Sequence, residues 1–107
     1  MSLERGLELM REQRWFDAHE SFEDEWRTAP ETERDFLQGL VHVTVAWHHA
    51  SRGNRPGASR QLEKATRRLG PYAPAHRGVD VTRVLGQVEA ASARVAEGLL
   101  DLLPVRI

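Results

Sequence analysis

The chain has 107 residues, 15 basic and 16 acidic side chains, five His, no Cys and 40% hydrophobic residues. That length predicts one domain over 1–107, with a core large enough to need no disulfide or structural metal. The absence of Cys excludes thiol nucleophiles and Cys-zinc sites, and a net charge of −1 excludes a globally basic nucleic-acid binder.

Helical period dominates throughout, and no period-2 strand pattern survives a count. Ser2 is placed to cap a first helix reaching about Gln13, with Leu3, Leu7 and Met10 as its apolar stripe. A second helix is expected from Trp15–Phe16 to Arg27. Thr28-Ala29-Pro30-Glu31 reads as a capping box that opens a third, running to about Arg52. Gly53 is a natural stop and Asn54 the next cap. The fourth helix, about 55–69, turns Ala58, Leu62, Ala65 and Leu69 inward and gathers Arg60, Lys64, Arg67 and Arg68 on another face. Residues 70–79 read as loop. Asp80 then caps a last helix with the stripe Val81, Leu85, Val88, Ala91, Val95, Leu99 and Leu102. The expected architecture is all-α, a compact antiparallel bundle of about five helices around a central, buried third helix.

That third helix is apolar nearly all round, from Phe36 to Trp47. Gly39 at its middle points to close approach of another helix. The gap in the apolar wrap holds Gln38, His42 and His49, which fall within about 40° of one another on the helical wheel. It reads either as a mild solvent edge or as a half-buried polar seam.

On the second helix, Trp15, Phe22 and Trp26 share a face with His19, and Glu23 lies at its edge. Asp17, Asp24 and Glu25 point away as solvated charges. His19 and Glu23 stand at i, i+4, so their side chains can meet. Such a pair can bind a divalent metal, act as base and orienter, or satisfy itself in a core. His-Glu-x-x-Glu is not the zincin pattern, and a metal would need further ligands from the third helix. His48 and His76 carry no role here.

Charge is unevenly placed: residues 1–50 hold 11 acids and 5 bases, residues 51–107 hold 5 acids and 10 bases. The asymmetry fits two halves that attract each other or, less well, a phosphate-binding face, which lacks stacking aromatics.

The segments Phe16-Asp17-Ala18-His19-Glu20-Ser21-Phe22-Glu23-Asp24-Glu25-Trp26 and Phe36-Leu37-Gln38-Gly39-Leu40 resemble the signature of the domain of unknown function 309 family, small all-helical prokaryotic proteins. Gly53-Asn54-Arg55-Pro56-Gly57-Ala58 and Gly78-Val79-Asp80 extend the resemblance to about residues 3–100. It implies a compact helical bundle and no settled activity. Members carry the conjectural label of metal-dependent hydrolase, and its candidates here are His19, Glu20, Glu23, Gln38 and His42.

Two functional readings result. In the first, His19, Glu23, His42 and His49 hold one Zn, Mn or Fe ion, and Glu20 or Glu23 is the general base of a hydrolase. In the second, these residues form a structural polar network with Gln38, Trp26 and Gly39, in a binding module or a homodimer packed through the last helix. A cytoplasmic protein without a membrane span or nucleic-acid partner is expected.

Overall fold

The computed structural model describes residues 2–107, with side chains from Leu3 onward, so the Ser2 cap lies outside the described side chains. Five α-helices follow in chain order: α1 Ser2–Arg11, α2 Trp15–Thr28, α3 Glu31–Ser51, α4 Arg55–Leu69 and α5 Val81–Ala96. Successive helices pack on one another, α1 on α2, α2 on α3, α3 on α4 and α4 on α5. No helix among the described residues is long and apolar enough to cross a membrane.

The central helix is α3. Phe36, Leu37, Leu40, Val43 and Ala46 are fully buried, and Trp47 and Ala50 nearly so. Gly39 is where α4 comes closest: a Cβ there would lie 2.5 Å from Leu69 Cδ2 and 3.3 Å from Arg68 Cβ. The inward stripe of α4 is the expected one, with Ala58, Leu62, Ala65 and Leu69 all buried.

The helix ends show where local chemistry decides. Asn54 Oδ1 accepts from Gly57 N–H at 3.0 Å, and Asp80 Oδ1 from Arg83 N–H at 3.0 Å, the N-caps expected of both residues. Gly53, at φ +76°, ends α3 with Asn54 N–H on His49 O and its own N–H on Ala50 O. The capping box at Thr28 does not form. Thr28 is the last residue of α2, and Pro30 precedes α3 without a side-chain cap bond. The proline pushes Ala29 into an extended conformation, which stops α2.

Two further expectations are corrected. Residues 70–79 are not plain loop: a 3-10 turn spans Gly70–Tyr72, and a two-residue antiparallel ladder pairs β1 (Ala75–His76) with β2 (Val79–Asp80). Arg77 and Gly78 between them both have positive φ, as a two-residue hairpin turn of this twist requires. And α5 stops at Ala96, so Leu99 and Leu102 do not extend its stripe. Gly98, at φ +81°, donates to Val95 O while Leu99 N–H reaches Arg94 O, a Schellman stop. The buried stripe is Val81, Val84, Val88, Ala91 and Val95. The chain then folds back without regular structure. Trp47 Nε1 donates to Leu103 O at 2.9 Å, and Val105 is buried.

Candidate functional site

On α2, His19 Nε2 and Glu23 Oε1 stand 3.3 Å apart, each side chain about one-third exposed. The i, i+4 pair therefore meets, at the surface rather than in the core. Glu20 is exposed beside it. Phe16, one turn earlier, is 64% exposed, its ring 6.3 Å from the His19 imidazole.

The polar row on α3 divides between two neighbours. Gln38 is half-buried on the floor of a groove of about 890 Å³. Glu31, Arg34 and Asp35 of α3 share that floor, Glu23 and Trp26 of α2 form one wall, and Arg68 comes from α4. Within it, Arg68 donates to Asp35 at 2.6 Å, and the Arg34 guanidinium lies 5.4 Å over the Trp26 ring. Glu23, Gln38 and Trp26 are thus brought together.

His42 turns the other way. It is buried, with Nδ1 2.7 Å from Gln61 Oε1 on α4. With that oxygen as acceptor, the ring proton sits on Nδ1, and buried Nε2 has no partner among the described residues. Burial holds the His42 pKa below the usual value. The Gln61 bond opposes this, and the positive charges of Arg68, Lys64 and Arg67 reinforce it. His49 serves α4 as well: its Nδ1 accepts from Asn54 Nδ2 at 3.3 Å and so supports the residue that caps α4.

His19 and Glu23 on one side, and His42 and His49 on the other, do not converge. Among the described residues there is no group of three or more His, Asp or Glu that could hold a metal ion. The nearer imidazole is His48, half-buried on α3. Its pKa is lowered by burial first, then by Arg52, His49 and His19.

A second polar cluster was not foreseen. His76 Nε2 donates to Glu33 Oε1 at 2.7 Å, and its ring packs edge-on against Phe36 at 4.7 Å and tilted against Tyr72 at 4.8 Å. Arg77 adds contacts to Glu25 at 3.6 Å and Glu33 at 3.9 Å. Glu25 is therefore a partner of the β-hairpin and not a free surface charge. No short-range spacing links His76 to Glu33, since they lie 43 positions apart in sequence.

The sequence profile described as "Domain of unknown function (DUF309)" matches residues 3–61, more than half of the chain. The protein belongs to the DUF309 family. No curated protein and no solved structure matches the chain. The DUF309 match takes in both His19–Glu23 and the groove floor, and it ends at Gln61, the partner of His42. The hairpin, α5 and the returning tail lie beyond it.

Proposed function

We propose that this DUF309 protein is a binding module for a small polar molecule, with its site in the groove over Gln38. One observation carries the reading. The Gln38 amide, half-buried on the groove floor, has no hydrogen-bond partner among the described residues, while carboxylates and guanidinium groups surround it. The amide opens to the groove, so its donors and acceptor are available, and a ligand bearing donors and acceptors would replace the water there. The near balance of charge around it favours a sugar or a zwitterion over a strong ion. His19 then orients Glu23 at the groove wall, and His42 and His49 belong to the scaffold. Assembly with a second copy is part of the same reading, with exposed Phe16 as its contact, and would show as melting that depends on protein concentration.

Titration of 15N-labelled protein with free amino acids and monosaccharides tests the site. At least one of them is expected to shift the Gln38 side-chain amide and the Trp26 indole, and Gln38→Leu is expected to abolish the effect. A panel that leaves both resonances unmoved at millimolar concentration would overturn the proposal.

A metal-dependent hydrolase is the second reading, favoured by the His19–Glu23 contact. These residues supply two ligands where a catalytic site of this kind uses three. The set does not fit as it stands. Zn or Mn that raises the melting temperature of the native protein, and not of His19→Ala, would establish an ion there. No shift in either would remove this reading.

A further inference from the structure

The returning tail and α5 line a second, half-open cavity of about 720 Å³, within the usual range for small-molecule sites. Trp47, Ala91, Leu102 and Val105 give it apolar walls. The charged side chains lining it are all arginines: Arg11, Arg83, Arg94 and Arg106. Two of them are engaged, Arg11 with Ile107 O at 3.0 Å and Arg94 with Asp101 at 2.8 Å. The guanidinium groups of Arg83 and Arg106 have no partner among the described residues.

One side chain ties the main chain at both free arginines. Gln87 Nε2 donates to Arg83 O at 3.3 Å and to Arg106 O at 2.8 Å, and Gln87 Oε1 accepts from Arg106 N–H at 2.7 Å. The main chain that carries these two exposed, unpaired positive groups is thus fixed beside one apolar cavity. We propose that this cavity binds an organic carboxylate with an apolar tail. Arg83 and Arg106 would take the carboxylate, for which the guanidinium fork is shaped, and the tail would lie along Trp47 and Val105. The cavity is separate from the groove over Gln38, so either proposal can fail without the other.

Octanoate, its neutral analogue octanamide and inorganic phosphate are the probes, followed by calorimetry and by the Trp47 indole resonance. Octanoate is expected to bind saturably and to move that resonance. Octanamide should bind at least about tenfold more weakly, the loss of one charge-assisted hydrogen bond. Phosphate, lacking the tail, should leave the resonance in place. The double variant Arg83→Gln/Arg106→Gln should lose octanoate affinity at unchanged melting temperature. Should it melt early, Arg83→Gln alone carries the test, since that exposed side chain supports nothing else. Equal binding of octanoate and octanamide, equal competition by phosphate, unchanged affinity in the variants, or no binding would each overturn the proposal.

Discussion

At the scale of single residues, His42 shows how a neighbour decides what a side chain is for. Its position on α3 is plain from the helical wheel, but the wheel gives angles on one helix and not the direction of the helices around it. Gln38 and His42 lie close in angle, yet one opens to a groove and the other is closed under Gln61. The second outcome has a pH signature. An imidazole whose folded pKa is lowered binds its proton less readily than the unfolded chain does. Its contribution is complete above the unfolded value of about 6.5 and is lost as pH falls through 6.5 towards the folded value. Urea midpoints are therefore expected to fall between pH 7.5 and pH 5.5. His42→Leu removes the titrating group, and its midpoint should fall less steeply. Parallel pH profiles for the two proteins would show that His42 is not a buried neutral ring.

At the scale of elements, what was legible in the sequence is what depends on neighbours a few positions away. The caps at Asn54 and Asp80, the stop at Gly53 and the inward stripe of α4 all obey such rules. Gly39 was legible too, because a glycine inside an apolar helix needs a reason, and α4 supplies one. Thr28 departs from its capping-box spacing because Pro30 resets the boundary. The β-hairpin was invisible because two residues per strand are too few to show a period. Gly39→Ala separates packing from propensity. On an isolated helix it would stabilise by about 1 kcal/mol. Here the new methyl meets buried Leu69, whose Cγ as well as its Cδ2 would lie under 3 Å away, so the leucine cannot simply rotate its tip aside. Overpacking of this kind costs about 1–3 kcal/mol and should exceed the gain. Chemical denaturation is expected to show a net loss, and a more stable variant would mean that α4 yields freely.

At the scale of the whole molecule, the acidic first half and the basic second half meet each other. Arg68 pairs with Asp35, and Arg77 with Glu25 and Glu33. These contacts fit the reading of two halves that attract, although Arg60, Lys64 and Arg67 stay exposed on α4. The partners at the hairpin are the more enclosed, with Arg77 30% exposed, Glu25 21% and Glu33 22%, against 41% and 61% at the Arg68 pair. Screening by water is weaker there, so Arg77 should contribute more than an ordinary surface cation. Arg77→Asn tests this without breaking the turn, because asparagine accepts the positive φ that Arg77 adopts. The variant is expected to lose about 1 kcal/mol, the upper end for ion pairs of this kind, since the contacts at 3.6 and 3.9 Å are not hydrogen bonds. Combined with Glu33→Gln, it should lose less than the sum of the single changes, because each removes part of the same contact. Raising ionic strength should narrow the gap between native protein and variant only slightly if the cluster is enclosed. A gap that closes fully in salt, or strictly additive losses, would place the hairpin's hold in the packing of His76 between Phe36 and Tyr72 instead.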